Sequence, residues 1–329
     1  MTRMVKILGT GKYLPQREVS AKELAQKIGS TEEWIAKKSG VMTRYFVDNE
    51  TSAYMGAKAA IEALESAGLK LEDIDAVVSA GGVMQQSIPC TATLIQKELG
   101  MDGSGIPAFD INTTCLGFIT AFDTLSSMII SGRYKNILII CSDIASVGLD
   151  WNHFESCTLF GDGAAAVIIG PTPQMETSKI HSARIETYCE GTDYCQIEGG
   201  GTKLHPRDHS KGIDKRFLFQ MDGRAVFKLA SKKILPFMTR LLQAFCLKDI
   251  SLFIPHQASV MAIRILKQKL GLDDTRIINI ASKFGNMIAA SIPFALHQAI
   301  QQKKVKRGDR LVLFGTSAGF SIGGLVLEY

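Results

Sequence analysis

The chain lacks the features that would direct it into a membrane or a secretory pathway. No segment of its 329 residues reaches the roughly 18 uninterrupted apolar positions that a membrane-spanning helix needs. Residues 1–6 lack the apolar run and the small-residue cleavage site of a secretion signal. We therefore expect a cytoplasmic protein that is neither inserted in a membrane nor bound to one.

Cysteine pairs at a metal-binding spacing are also missing. The seven cysteines are an odd number and contain no Cys-x-x-Cys pair. Reduced thiols in a cytosolic protein fit this pattern better than a disulfide framework or a zinc site does. We expect no bound metal.

A strong excess of one charge is absent as well. The 37 basic and 32 acidic residues give a net charge of +5, and the basic residues are dispersed. This balance argues against nucleic acid as a partner, whereas it suits an acidic protein or a phosphate-bearing ligand.

What the sequence does contain is one α/β plan that occurs twice. In each half a helix precedes a short apolar strand, and a loop then leads to an amphipathic helix, a second strand, a helix and a third strand. In the first half these segments are 57–67, 71–82, an amphipathic helix that ends at 97–100, 106–111, 115–131 and 136–140. In the second half they are 231–245, 247–256, an amphipathic helix that ends at 269–271, 276–281, 289–302 and 310–314. Continuous apolar strands alternating with helices indicate mixed or parallel sheets buried on both faces.

The two halves are predicted to be domains of residues 1–172 and 173–329. Their join is expected at Gly170-Pro171-Thr172-Pro173, which follows an apolar strand. Between residues 188 and 216 the periodicity disappears into a glycine-rich, basic stretch. We predict a mobile surface loop there, of the kind that often borders an active site.

Cys115 carries the strongest chemical signal. It follows Thr113 and Thr114, either of which could cap a helix whose apolar face runs through Leu116, Ile119, Phe122, Leu125 and Met128. A cysteine in the first turn of a helix lies among free N–H groups, which favour a thiolate and stabilise an oxyanion. The alternative is a small buried core residue, the usual fate of a free cysteine.

Three other segments place polar groups where α/β folds carry active sites. His256 ends a predicted buried strand, and Asn286 lies in a glycine-containing loop before a helix. Carboxyl ends of parallel strands meet at one edge of a sheet, so these residues are expected to converge. The segment Gly315-Thr316-Ser317-Ala318-Gly319-Phe320 is a small-residue turn that can present backbone N–H groups to a ligand.

These motifs, in this order, resemble the β-ketoacyl-acyl carrier protein synthase III family of the thiolase superfamily over essentially the whole chain. The matching pieces are Thr31-Glu32-Glu33-Trp34-Ile35, Thr113-Thr114-Cys115-Leu116-Gly117-Phe118, Phe160-Gly161-Asp162-Gly163-Ala164, Pro255-His256-Gln257-Ala258, Phe284-Gly285-Asn286 and Gly319-Phe320-Ser321-Ile322-Gly323. The resemblance implies a thiolase-like α/β fold of two similar halves with buried mixed sheets, in five layers αβαβα.

The resemblance also implies the chemistry. The family condenses an acyl thioester with a malonyl thioester, with loss of carbon dioxide, in fatty acid biosynthesis. Cys115 would take the acyl group, His256 and Asn286 would bind the malonyl carbonyl, and the N–H groups of Cys115 and Gly319 would form the oxyanion hole. No cofactor is implied, because thioesters of coenzyme A or phosphopantetheine are the substrates. Implied partners are acyl-CoA, acyl carrier protein and a second copy in a homodimer.

Family positions for substrate binding match in part. Trp34 matches the tryptophan that stacks on the adenine of coenzyme A, and Lys38 the basic residue four positions later. Phe154 stands roughly where the family has an arginine on the other adenine face, which puts the usual coenzyme A donor in question. Phe160, Met221 and Ala258 are further expected substrate contacts.

The expected carrier-protein contacts and acyl-pocket gate are altered too. Lys228 and Lys269 match carrier-protein contacts. Met261 replaces a family arginine, for which Arg264 and Lys267, one turn on, can compensate. The gate that the family inserts from the partner subunit falls at Ile88, a smaller residue. The expected acyl group is therefore any of four kinds: acetyl, branched, longer or carboxylated chains. Relatives that make biotin precursors, quinolone signals or head-to-head condensed fatty acids share this core.

A thiol hydrolase is a competing interpretation. The order Cys115, His256, Asn286 resembles that of papain-like proteases. Their Cys-Gly-Ser-Cys-Trp signature and secretion signal are absent, and the duplicated plan disagrees with their fold. A non-catalytic partner subunit is disfavoured because such relatives usually lose the cysteine.

Overall fold

The computed structural model describes residues 2–209, 214–243 and 245–329. Its strands are β1 (Val5–Tyr13), β2 (Arg17–Ser20), β3 (Thr43–Phe46), β4 (Ala76–Ser79), β5 (Ala108–Asp110), β6 (Ile137–Asp143), β7 (Gly163–Pro171), β8 (Lys179–Thr187), β9 (Cys195–Gln196), β10 (Gln220–Met221), β11 (Leu252–Pro255), β12 (Arg310–Ser317) and β13 (Ser321–Glu328). Its α-helices are α1 (Ala21–Ile28), α2 (Glu32–Lys38), α3 (Ser52–Ala67), α4 (Thr91–Glu98), α5 (Gly117–Ile130), α6 (Phe154–Cys157), α7 (Gly223–Leu242), α8 (Val260–Leu270), α9 (Ala281–Phe284) and α10 (Ser291–Gln301).

Two mixed sheets repeat one strand order. The first runs β1-β7-β6-β4-β5, with β6, β4 and β5 parallel and β7 antiparallel to both of its neighbours. The second runs β8-β13-β12-β11, with β11 and β12 parallel and β13 antiparallel to both of its neighbours. Beyond β11, Ile277 forms a parallel bridge to Phe253 in the place that β5 takes in the first sheet. The predicted mixed sheets are confirmed.

Helices cover both faces of each sheet. Apolar side chains of α5 and α10 share one core with strands of both sheets, so this helix pair lies between them. Buried side chains of α3 pack on the outer face of the first sheet, together with α4, and those of α7 and α8 pack on the outer face of the second. The resulting order is the predicted αβαβα arrangement of five layers.

Two predicted segments differ in detail. Residues 276–281 were predicted as a strand, but only Ile277 pairs with β11. The Gln257 side chain explains this departure, because its Oε1 accepts from the N–H of Ile280 at 2.8 Å and so removes a group that a strand would need. The helix predicted for 231–245 is longer at its start and shorter at its end, since α7 spans Gly223–Leu242.

The segment predicted as a mobile loop, residues 188–216, contains structure of its own. It holds a short 3₁₀ helix at Cys189–Tyr194 and the strand β9, which pairs with β10. Residues 210–213 of that prediction lie outside the described residues. Across the described ranges, no helix has both the length and the apolar character needed to cross a bilayer.

Candidate active site

Cys115 lies in a 3₁₀ turn, Thr114–Leu116, that precedes α5. The Asn112 side chain accepts from the N–H of Thr114 at 2.8 Å, and Thr114 adopts a left-handed conformation with φ of 49°. Gly117 then starts α5 directly against β4, where a Cβ would collide with the carbonyl oxygen of Ala80. A glycine is therefore required for this close approach.

The prediction that Thr113 or Thr114 caps this helix is wrong. The Thr113 hydroxyl pairs with that of Thr120 at 2.7 Å and makes no cap hydrogen bond. The Thr114 hydroxyl is buried and has no hydrogen-bond partner in the described part of the chain. Asn112 displaces both from the capping role because it holds the backbone in a turn before α5 begins.

His256 follows β11 and is buried. Its backbone N–H donates to the carbonyl of Phe314 at 2.8 Å, which continues the pairing of β11 with β12. Nδ1 has no hydrogen-bond partner among the described residues. Burial lowers the pKa of His256 to about 4, so the imidazole is neutral near pH 7.

Asn286 is held by hydrogen bonds at its backbone and at one side of its amide. Its N–H donates to Leu159 O at 2.8 Å, and its carbonyl accepts from Gly161 N at 3.1 Å. Oδ1 accepts from the N–H of Ile288 at 2.9 Å. Because the oxygen is engaged, Nδ2 is left as the free end of the amide, a donor without a protein partner among the described residues.

A cavity of about 670 Å³ brings these groups together. Cys115, His256, Asn286 and Gly319 all line it, as do the predicted contacts Phe160, Met221 and Ala258. Most of the other lining residues are apolar, and they are Val83, Ile144, Ala145, Val147, Leu149, Leu159, Ile197, Phe217, Phe219, Val226, Ile288, Ala318 and Phe320. Residues far apart in the chain thus form one largely apolar pocket with few polar groups, the usual character of a small-molecule site.

The pKa of Cys115 runs against the sequence-based expectation of a favoured thiolate. Burial raises the pKa of this thiol to about 12, and the negative charges of Asp143 and Cys195 add to the effect. The N–H groups of Cys115 itself and of Ala318 act in the opposite direction. A buried position outweighs the start of the helix, because desolvation penalises the thiolate more than these donors stabilise it. The second N–H that acts on the sulfur belongs to Ala318, next to the predicted Gly319.

Four predicted substrate residues lie away from the cavity lining. The rings of Trp34 and Phe154 pack edge to face with their centroids 5.9 Å apart. Lys38 is exposed at the end of α2, and Ile88 is 84% exposed in the loop before α4. The predicted carrier-protein contacts Lys228, on α7, and Arg264 and Lys269, on α8, are exposed on neighbouring helices.

Sequence reasoning missed one part of the site, the buried carboxylate of Asp143. Asp143 is fully buried at the end of β6, and burial raises its pKa to about 7 although four backbone N–H groups act against the shift. A polar residue that closes an apolar strand was the available signal. Residues 194–197, within the stretch 188–216 that was predicted to border the site, form part of the cavity wall and carry a second thiol, Cys195. Within the described ranges, no group of three or more His, Cys, Asp or Glu is placed to hold a metal ion.

The known proteins most similar in sequence to this chain belong to one family of condensing enzymes. The 3-oxoacyl-[acyl-carrier-protein] synthase III family model matches residues 109–189, and the model of its C-terminal part matches residues 243–329. A β-ketoacyl-[acyl-carrier-protein] synthase III of Aquifex aeolicus is 36% identical over 326 residues, 98% of this chain and 99% of the relative. This chain is thus a condensing enzyme of the thiolase fold, an acyltransferase. It belongs to the 3-oxoacyl-[acyl-carrier-protein] synthase III family.

Solved structures agree with this assignment. The crystal structure of 3-oxoacyl-[acyl-carrier-protein] synthase III from Aquifex aeolicus superposes with a TM-score of 0.89 at 34% identity, covering 99% of this chain and all of that one. The priming β-ketosynthase of the R1128 polyketide biosynthetic pathway superposes with a TM-score of 0.88 at 28% identity, covering 99% of this chain and 96% of that one.

Proposed function

We propose that the enzyme condenses an acyl thioester with a malonyl thioester, malonyl-acyl carrier protein, in fatty acid biosynthesis. Carbon dioxide is released and a β-ketoacyl thioester forms by way of an acyl-Cys115 intermediate. The observation that carries the proposal is the convergence of Cys115, His256 and Asn286 in one largely apolar cavity, in a chain of this family.

The first half-reaction transfers the acyl group to Cys115. The sulfur attacks the thioester carbonyl, the carbonyl oxygen becomes an oxyanion, and the donor thiol leaves with the proton. The N–H groups of Cys115 and of the Ala318–Gly319 turn are the donors available to this oxyanion, since both line the cavity. The raised pKa of Cys115 means that the thiol must lose its proton as the substrate binds and reacts.

The second half-reaction generates the nucleophilic carbon. The bond from the malonyl α-carbon to its carboxylate breaks, and the electron pair moves into the thioester to give an enolate. Neutral His256 and the free Nδ2 of Asn286 donate hydrogen bonds to the enolate oxygen. The enolate carbon then attacks the acyl group, and the bond to Cys115 breaks. On this mechanism the enzyme needs no metal or redox cofactor, because backbone and side-chain donors stabilise each oxyanion.

Turnover of acyl thioesters with malonyl-carrier protein, followed by mass spectrometry, tests the proposal. A donor panel of acetyl, branched, longer and carboxylated acyl groups on coenzyme A and on carrier protein identifies the substrate. A β-ketoacyl product supports condensation, and its chain distinguishes fatty acid priming from a specialised pathway such as polyketide priming. Release of free fatty acid without a condensation product would instead indicate a thiol hydrolase.

The coenzyme A site gives a testable consequence. Trp34 and Phe154 already contact one another, and neither ring carries a charge that could reach a phosphate. We expect Phe154→Arg to lower the KM for acyl-coenzyme A about fivefold, because a stacked guanidinium near phosphate contributes about 1 kcal/mol at an exposed site. The KM for malonyl-carrier protein serves as the internal control. An unchanged KM for coenzyme A donors would show that Phe154 is not at the adenine site.

We also propose that two copies assemble into a homodimer. The strand β5 is at the edge of the first sheet, and the exposed Ile88 lies in the loop that follows β4. A second copy would cover this edge and receive Ile88 at its own pocket. Light scattering should therefore give about twice the 35.8 kDa of one chain. A stable monomer with full activity would contradict this assembly.

The exposed basic residues support a further partner. We propose that Lys228, Arg264 and Lys269 bind acyl carrier protein through its acidic surface, because α7 and α8 present all three outside the second sheet.

We also propose that the protein is located in the cytoplasm. All seven cysteines are unpaired, which is typical of a protein in a reducing compartment.

A further inference from the structure

The carboxylate of Asp143 accepts hydrogen bonds from the backbone of two separate segments, one at each oxygen. Oδ1 accepts from the N–H groups of Gly82 at 2.7 Å and Val83 at 2.8 Å. Oδ2 accepts from the N–H groups of Ala289 at 3.0 Å and Ala290 at 3.3 Å. The side chain is fully buried, so these backbone donors take the place of water around it.

The loop that contains Gly82 and Val83, which donate to Oδ1, contacts both the turn that carries Cys115 and the turn that contains Ile288. A Cβ on Gly82 would lie 2.6 Å from Cγ2 of Ile288 and 3.2 Å from the carbonyl carbon of Thr114. Only glycine fits between them, and Thr114 directly precedes Cys115. The position of the Gly82 loop therefore sets how closely the Cys115 turn and the Ile288 turn approach each other.

The turn that donates to Oδ2 of Asp143 also holds the side chain of Asn286. Ala289 and Ala290 belong to the 3₁₀ turn Ile288–Ala290, and the N–H of Ile288 donates to Oδ1 of Asn286 at 2.9 Å. Ile288 has a φ of 50°, an unfavourable conformation for a β-branched residue. Such a conformation persists only where the surroundings enforce it, and the bonds from Asp143 supply that support.

We propose that Asp143 is a positioning residue whose carboxylate fixes the Cys115 turn and the Asn286 turn relative to one another. The inference rests on the proposed function for its catalytic meaning. A carboxylate is required, because each oxygen must accept. An amide of the same shape offers one acceptor, and its NH₂ group would face backbone N–H donors at the other loop.

The charge of Asp143 has a second effect, on the thiol. After burial, this carboxylate is the largest influence that raises the pKa of Cys115, and Cys195 adds to it. Asp143 likewise raises the pKa of the buried thiol of Cys141, after burial itself. Removing the charge should therefore make the Cys115 thiolate easier to form, whereas losing the loop contacts should impair Asn286.

The variant Asp143→Asn tests both effects, the positioning of the two turns and the influence of the charge on the Cys115 thiol, with readouts that differ from a loss of folding. Above neutral pH, we expect decarboxylation of malonyl-carrier protein to fall about 10- to 100-fold, since a misplacement on the order of 1 Å costs up to about 100-fold. The pH profile of Cys115 alkylation by iodoacetamide should shift to lower pH. Gly82→Ala disturbs the same loop without altering charge, so it should lose decarboxylation with a smaller shift of the thiol profile.

A matched control measures the cost of losing a buried carboxylate elsewhere. Asp162 is also fully buried and accepts from the N–H groups of Val47 and Ser146 rather than from either catalytic turn. Asp162→Asn should lower the melting temperature as Asp143→Asn does but retain more decarboxylation. Normal decarboxylation by Asp143→Asn would overturn the positioning role, and a thiol shift no larger than that of Gly82→Ala would overturn the charge effect.

Hydrogen exchange of the unmodified enzyme decides the case if Asp143→Asn does not fold. Amides of Gly82, Val83, Ala289 and Ala290 should be strongly protected although they lie outside the sheets. Rapid exchange at either pair would overturn the proposal. This measurement does not depend on turnover, so an enzyme that fails to decarboxylate malonyl-carrier protein yet protects both pairs would refute the proposed function alone.

Discussion

Replacing Cys115 with alanine should abolish self-acylation and condensation while carbon dioxide is still released from malonyl-carrier protein. Acyl transfer needs the sulfur, since no other atom at this position can form the thioester. Decarboxylation needs only the donors of His256 and Asn286, which line the cavity independently of the thiol. Acyl-enzyme mass and radiolabelled carbon dioxide, measured on the same sample, report the two half-reactions separately.

Cys195 provides the matched control, because it is a second thiol in the wall of the same cavity. Cys195→Ala should still take an acyl group on Cys115, and peptide mapping should locate the group there. If Cys115→Ala continues to acquire one acyl group per chain, another residue is the nucleophile. The mechanism proposed for the first half-reaction would then be wrong.

The fold could be predicted because its signals are local and repeated. The strand Ile137–Asp143, for example, is buried throughout and apolar over residues 137–141, which is typical of a sheet covered on both faces, and the same pattern recurs in the second half. Details that depend on one distant side chain could not be predicted. Gln257 takes the N–H of Ile280 and so prevents residues 276–281 from forming a full strand.

The position of Cys115 was predicted better than the ionisation of its thiol. The local sequence places Cys115 in the first turn of a helix, whereas it lies in a 3₁₀ turn directly before α5, after a turn at Asn112 that no capping pattern reveals. The pKa of the thiol depends first on burial and then on the charges of Asp143 and Cys195, two residues far from Cys115 in sequence. Local helix-end arguments include only the N–H groups that lower this pKa and leave out the desolvation that raises it.

Asp143 shows why part of the site stays hidden in a single sequence. Its partners Gly82 and Ala289 lie 61 and 146 positions away, so no spacing rule links them. His256 and Asn286 were found because each follows a strand or glycine-containing loop at the edge where active sites form. Segment 194–197 has no periodicity, and its place in the cavity wall depends on the pairing of β9 with β10.

Asn286→Ala should keep acylation of Cys115 but lose decarboxylation by roughly 100- to 1,000-fold, equivalent to about 2.7–4 kcal/mol for one deleted oxyanion donor. The reason is that Nδ2 is the end of the amide left free to bind the enolate oxygen, whereas Oδ1 is held by Ile288.

His256→Ala should also lose decarboxylation. Its effect on acylation should vary with the donor, because an imidazole near the thiol can help to activate it.

Asn286→Asp makes the test more specific than alanine does. Aspartate keeps an acceptor for the N–H of Ile288 but removes the Nδ2 donor, so decarboxylation should be lost while the turn stays in place. Asn279→Ala is the matched control, since this asparagine accepts from the N–H of Ala281 and does not line the catalytic cavity. It should decarboxylate normally. Should Asn286→Ala decarboxylate at the normal rate and yet fail to be acylated, the division of labour between Cys115 and Asn286 would be the reverse of the one proposed.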